Sequence, residues 1–244
     1  MKRTTLVILA LSFLGCDKDQ WDDCITSTGP EREEVREPGA FQEVDLTDRI
    51  DVVLEQRASG TVAVVAGRNL MQQVRTEVRN GVLVIANDNR CNWVRSFKPR
   101  IVVRVPIADV ERMTLRGNGN VTCTDTIRQD RFVLQQWGAN GTAELLLSVR
   151  TADIGLHTGA GTVIARGMCE EKVDLYNGTM GPIDGSELRS PQVSVNNSGV
   201  TDIHCHPTSV LEVGIYNVGD VYYRGDPANV YPNITGTGEL IKLD

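Results

Sequence analysis

The chain has 244 residues, 41% of them hydrophobic, which is enough for one sizeable core. Only 5% are aromatic while 23 are glycine, a balance that argues against a thick sandwich core and for thin, turn-dense β structure. The formal net charge of −7 repels phosphate backbones, so no nucleic acid partner is expected.

At the N-terminus, Lys2 and Arg3 precede an almost wholly apolar run from Leu6 to Leu14, closed by Gly15-Cys16. That run spans only about half of a bilayer's hydrocarbon core, so residues 1–15 read as a signal peptide rather than a transmembrane helix. A small residue followed at once by Cys resembles the lipobox of bacterial lipoproteins. The resemblance implies that Cys16 is lipidated and that the chain is tethered to the outer membrane rather than spanning it. Residues 16–40 carry Asp17, Asp19, Asp22, Asp23, Glu31, Glu33, Glu34 and Glu37 against Lys18, Arg32 and Arg36, and read as an acidic flexible linker. Acids crowded behind a lipidated Cys also resemble tags that export lipoproteins to the cell surface. The expected location is the outer face of the cell envelope, with the periplasmic face as the alternative.

Residues 41–244 read as a single domain. Val44, Leu46, Ile50, Val52 and Leu54 alternate as strands do. The stretch from Thr76 to Ile85 reads as a hairpin about Asn80-Gly81, the favoured two-residue turn. Ile101 to Val105 is a further strand that stops at Pro106. These segments are expected to cap one end of the remaining chain, because an uncovered terminal coil exposes a strand edge.

From Leu115 onward the chain repeats. Turn glycines at Gly119, Gly141, Gly161, Gly181, Gly199, Gly219 and Gly238 recur at intervals of 18 to 22 residues, the mark of a solenoid. The runs between them are too short for helices and alternate like strands. The spacing predicts an all-β parallel β-helix-like solenoid, or β-roll, with about 20 residues per coil and stacked apolar rows about 4.8 Å apart. One row comprises Val121, Ala143 or Leu145, Val163, Ile183, Ile203, Val221 and Leu240. The other comprises Leu156, Leu175, Val195, Ile215 and Ile234. Glycine is expected at the turns for its positive φ. Asn177, Asn197 and Asn217 are predicted to form a structural ladder whose amides bond up the axis.

The order of an early strand, an Asn-Gly hairpin, a strand ending in Val105-Pro106, serial Gly turns and a closing Gly236-Thr237-Gly238 resembles the putative auto-transporter adhesin, head GIN domain family. The resemblance covers residues 41 to 244 and implies a right-handed β-helix-like roll on envelope proteins. No translocator barrel is expected, and turns such as Asn197-Ser198-Gly199 lack the second glycine.

Chemistry is sparse. Cys123 and Cys205 fall in the inward row four coils apart, about 19 Å at the strand spacing, too far to bridge. Buried, reduced thiols are expected, with Cys91–Cys123 the one pairing to check and Cys24 free in the linker. In His204-Cys205-His206 the alternation sends both imidazoles outward, one coil from Asp184. His204, His206 and Asp184 are therefore the candidate divalent-metal ligands, set against an incidental solvated row. No other cofactor is expected. Asp153, Asp174 and Glu212 are outward acids without a catalytic constellation, and no Gly-x-Ser-x-Gly or His-Glu-x-x-His string is present. The chain is not expected to be an enzyme. The sequence predicts a binding or adhesion surface with a glycan or an envelope protein as ligand. A periplasmic structural component is the alternative, and a polysaccharide-active β-helix enzyme the third reading. Whether Trp93, Trp137, Tyr176 and Tyr216 share a face decides whether a carbohydrate platform exists.

Overall fold

The computed structural model describes residues 27–89 and 100–243. Apart from two single 3-10 turns, its regular structure is all β. The N-terminal strands are β1 (Glu31–Arg36), β2 (Glu43–Leu46), β3 (Ile50–Glu55), β4 (Val62–Gly67), β5 (Val74–Arg79), β6 (Val82–Asn87) and β7 (Ile101–Pro106). The repeat supplies β8 (Arg112–Leu115), β9 (Val121–Cys123), β10 (Arg131–Ala139), β11 (Thr142–Gly159), β12 (Thr162–Asn177), β13 (Ile183–Asn197) and β14 (Ile203–Ile215). It closes with β15 (Val221–Tyr223), β16 (Asn229–Ile234) and β17 (Leu240–Lys242).

All strands of the repeat pair in parallel with the coil before and after, at about 20 residues per coil, forming the expected β-solenoid. Each coil contributes one segment before its glycine turn and one after it, which stack into a pre-turn sheet and a post-turn sheet. The long strands β11 to β14 run on across the opposite corner, so each serves both sheets. Register shifts at Val149/Thr151, Met168/Lys172 and Ser190/Gln192 mark that corner.

The post-turn core row is unbroken. Val103, Val52, Val121, Ala143, Val163, Ile183, Ile203 and Val221 are successive register partners, all fully buried. Each Val or Ile so buried contributes about 1.5–3 kcal/mol. The pre-turn row differs from the predicted one. Ile154, Leu175, Val195 and Val213 form one line, and Leu156, Asn177, Asn197 and Ile215 form a second, two residues nearer the turn. The apolar pattern merges the two lines because the second contains buried amides.

Those amides also correct the asparagine ladder. Asn177 and Asn197 are register partners and fully buried, but Ile215 holds the next rung, and Asn217 lies in the turn beyond it. The two amides do not bond each other. Asn177 Oδ1 accepts the Thr179 N–H (2.9 Å) and hydroxyl (3.0 Å), and its Nδ2 donates to the Thr201 hydroxyl (3.1 Å). Asn197 Oδ1 accepts from Gly199 N (3.2 Å), and its Nδ2 donates to the carbonyls of Thr201 (3.0 Å) and Asp220 (3.1 Å). Each side chain thus ties its own turn to the next, satisfying backbone groups that the tight turn leaves unpaired.

The reason for the repeated glycines also changes. None of the seven anchors has positive φ. A Cβ on Gly119, Gly141 or Gly181 would instead overlap the carbonyl of Ile50, Gly119 or Gly161 on the preceding coil. Close stacking of turn on turn demands glycine there, rather than left-handed backbone. The left-handed requirement holds at the hairpin, where Asn80 (φ 52°) and Gly81 (φ 80°) join antiparallel β5 and β6 as predicted.

The N-terminal segments cap the rod, but not in chain order. β2 pairs in parallel with both β6 and β8, and β3 with both β7 and β9. The β2–β3 coil is therefore interleaved between the β6–β7 coil and the first repeat. β4 lies antiparallel on β7, and β1 antiparallel on β4. Part of the stretch read as free linker is thus a strand: β1 lies within residues 16–40. Its Arg36 guanidinium bonds the Met71 carbonyl (2.9 Å) and the Thr76 hydroxyl (3.1 Å).

Candidate functional site

The solvent face of the pre-turn sheet carries a ladder of rings. The register makes Gln135, Gly155, Tyr176, Asn196, Gly214 and Asn233 consecutive outward partners. Nearer the turn on the same face stand Trp137, His157, Ser198 and Tyr216. Trp137 and His157 stack with centroids 3.9 Å apart and planes 5° apart. His157 meets Tyr176 at 5.1 Å and 32°. Tyr216 continues the line two coils beyond Tyr176, with Asn196 and Ser198 between them. Three of the four aromatic residues in question therefore share a face, and Trp93 lies outside the described residues.

Glycine makes room for this arrangement. Tyr176 leans forward along its strand, so that a Cβ on Gly178 would sit 2.7 Å from its hydroxyl. Tyr216 leans back, so that a Cβ on Gly214 would sit 2.6 Å from its hydroxyl. Asn233 Nδ2 lies 3.4 Å from the Tyr216 hydroxyl and steadies it from the next coil.

A second outward row, on the side away from the turn, is Asp153, Asp174, Ser194, Glu212 and Tyr231. Asp153 and Asp174, far apart in sequence, are neighbours here, and Ser194 separates Asp174 from Glu212. Asp174 pairs with Lys172 (2.7 Å), and Asp153 accepts from Gln135 Nε2 (3.0 Å) with Arg131 at 3.6 Å. Gln135 Oε1 in turn meets His157 Nε2. Burial holds the His157 pKa below its ordinary value, against the opposing pull of Asp153.

On the turn side of the ladder, Met180, Val200 and Val218 occupy equivalent places in three successive turns. They are 66%, 48% and 53% exposed, an apolar stripe bordering the rings. The sequence reading missed this stripe and His157. Aligning the coils on the Asn177–Asn197 rung, instead of on the glycines, would have found both. At the cap end of the same sheet, an open cavity of about 240 Å³ is lined by Glu43, Glu111, Arg112 and Arg131. Arg112 lies 3.8 Å from Glu43, Glu111 accepts from the Gln42 amide (3.1 Å), and Arg131 reaches Asp153 at 3.6 Å.

The metal candidates do not assemble. Asp184 and His204 are register partners as expected, but His206 pairs with Arg189. Asp184 is engaged by the Ser186 N–H (3.0 Å) and hydroxyl (2.6 Å), His206 Nδ1 by the Ser186 carbonyl (3.0 Å), and His204 stacks on Tyr222 at 4.7 Å. Burial pushes the Asp184 carboxyl up, but the Ser186 bonds with His204 and Arg166 hold it below its ordinary value. Among the described residues no group of three His, Cys, Asp or Glu side chains could hold a metal ion. The His204, His206 and Asp184 site is therefore not supported: bonds to Ser186 occupy Asp184 and His206, and the register carries His206 away from the Asp184–His204 pair.

Cys169 and Cys205 are buried free thiols, and Cys123 is a half-buried one. Cys16, Cys24 and Cys91 lie outside the described residues, and with them the expected lipidation and the Cys91–Cys123 pairing. No helix among the described residues is long and apolar enough to cross a membrane.

A solenoid of about 20-residue coils with a continuous side-chain ladder along one face defines the class: a repeat-built domain with an extended lateral surface. The chain belongs to the family described as putative auto-transporter adhesin, head GIN domain, whose model matches residues 40–227. Among solved structures it is similar to a putative adhesin from Bacteroides fragilis NCTC 9343, with TM-score 0.79 and 20% identity over 88% of this chain and 97% of that one. A putative adhesin from Parabacteroides distasonis ATCC 8503 aligns with TM-score 0.67 and 21% identity over 88% and 98%. A putative lipid binding protein from the same organism aligns with TM-score 0.63 and 18% identity over 89% and 98%. At such identities the likeness establishes the fold alone. A search of the curated proteins finds no match.

Proposed function

We propose that this chain is a cell-envelope lipoprotein, held by lipid at Cys16, whose solenoid is a non-catalytic adhesion module that binds glycan along the pre-turn face. The observation that carries the reading is the ring and amide ladder, in which Trp137, His157, Tyr176, Asn196 and Tyr216 occupy five successive coils of one exposed sheet. Rings and amides repeated at the coil spacing suit a polymer whose own units repeat along its length. The family's name and the Gly15-Cys16 junction support an envelope setting, and the acids behind Cys16 support the outer face of the cell. The test is a glycan array probed with the full-length chain in detergent, paired with protease shaving of intact and lysed cells. Discrete glycan binding, with loss of the domain from intact cells, is the expected result. An array without binding would remove the ligand class, and survival until lysis would move the domain to the periplasm as an accessory component.

A further inference from the structure

The ring ladder has one coil without a ring. Trp137, His157 and Tyr176 follow one another on consecutive coils at centroid spacings of 3.9 and 5.1 Å, and the next ring, Tyr216, stands two coils further on. Two coils span about 9.6 Å. Because Tyr176 leans forward over Gly178 and Tyr216 leans back over Gly214, both rings cover the same stretch of the sheet. They flank the intervening coil, where Asn196 and Ser198 form the floor. A guest ring centred in this gap would lie about 4.8 Å from each tyrosine, within the range at which rings stack.

The rim of the gap is polar. The Asn196 carbonyl oxygen accepts from the Ser198 hydroxyl (2.9 Å), and Asn196 is exposed. Along the neighbouring row stand Asp174, Ser194 and Glu212, one from each of the three coils involved. A fitting guest is therefore apolar on its two faces and hydroxylated at its edge. Glu212 repels an anionic guest, while the Asp174 charge is paired with Lys172. The Met180–Val200–Val218 stripe lies on the other side and can receive a methyl group.

We propose that the gap between Tyr176 and Tyr216 binds one pyranose ring of a neutral glycan, its C–H faces against the two tyrosines and its hydroxyls on Asn196, Ser194 and the flanking carboxylates. This rests on the reading of the pre-turn sheet as a glycan-binding face and assigns the subsite within it. No such gap exists between Trp137 and His157, since their facing surfaces are taken up by each other.

The experiment is saturation-transfer NMR on the full-length chain in detergent, with methyl glycopyranosides of neutral hexoses and N-acetylhexosamines as probes. Transfer is expected to be strongest at the ring C–H protons. Tyr216→Ala should weaken binding at least ten-fold. Asn196→Tyr, which fills the empty rung, should abolish binding while the domain melts cooperatively, so that loss cannot be laid to misfolding. Met168→Ala, on the post-turn segment of its coil, should leave binding unchanged. If array glycans bind the wild type and Asn196→Tyr equally well, the glycan reading stands and the subsite is overturned. If neither glycosides nor array glycans bind the wild type, both fall. Binding of indole or phenol in place of glycosides would show an aromatic site and overturn the sugar assignment.

Discussion

Trp137 and His157, on adjacent coils, lie face to face at 3.9 Å with planes only 5° apart. The imidazole is half-buried, and burial depresses its pKa, with Asp153 and Arg131 the charged groups nearby on its sheet. A depressed pKa means that the unfolded chain takes up the proton first. Stability from the neutral imidazole is therefore complete above the unfolded value near 6.5 and is lost as pH falls through the folded value. Urea unfolding at pH 7.5 and pH 5 should show a smaller acid loss in His157→Gln than in the wild type. Equal losses would mean that the ring titrates as if free.

Gln136 is a second consequence of the register. It is 1% exposed, stands between Leu115 and Leu156 in the inward line, and its amide has no hydrogen-bond partner among the described residues. Gln136→Leu matches the apolar neighbours above and below and removes the unpaired amide. It is expected to raise stability by about 1–3 kcal/mol, read as a higher urea midpoint at unchanged slope.

The buried amides predict a contrast between asparagines. Asn197→Ala strands the Gly199 N–H and two turn carbonyls, and should cost about 3 kcal/mol. Asn217 is half-buried and donates one bond, to the Ser198 carbonyl at 3.1 Å. Asn217→Ala should cost less than about 1 kcal/mol. Thermal melts of the two variants check the order, and equal costs would restore Asn217 to the ladder.

Burial raises the thiol pKa of Cys205 to about 12 and of Cys123 to about 11. At pH 8 both remain protonated and resist alkylation. Site-resolved mass spectrometry after iodoacetamide treatment should find Cys205 unmodified in the folded protein and fully modified in denaturant. Rapid native labelling of Cys205 would mean that the coil opens.

The solenoid was legible because its two strongest demands are local. Turn glycines recur wherever backbone meets backbone, and the Val121–Val163–Ile183–Ile203–Val221 row is apolar throughout. What escaped the sequence depended on register across coils. Asn177 and Asn197 look like turn residues, yet they occupy core rungs, because a buried amide that satisfies a tight turn leaves no apolar signature. Asp184, His204 and His206 show the converse. Alternation brings two of them to one row, but the bonds to Ser186 that occupy Asp184 and His206 fall at the register shift between Asp184 and Arg189, which periodicity does not report. The ring ladder combined both cases, since its members fall at unequal distances from their glycines.

The interleaved β2–β3 coil also bears on how the domain would carry tension. A pull from the N-terminal side loads β1 first, which is held by β4, and then reaches a coil gripped by parallel strands on both sides, where both sets of backbone bonds must shear together. At the far end, β16 and β17 are each paired along one edge among the described residues. Under load across the rod, strands paired along one edge separate before the doubly paired β2–β3 coil moves.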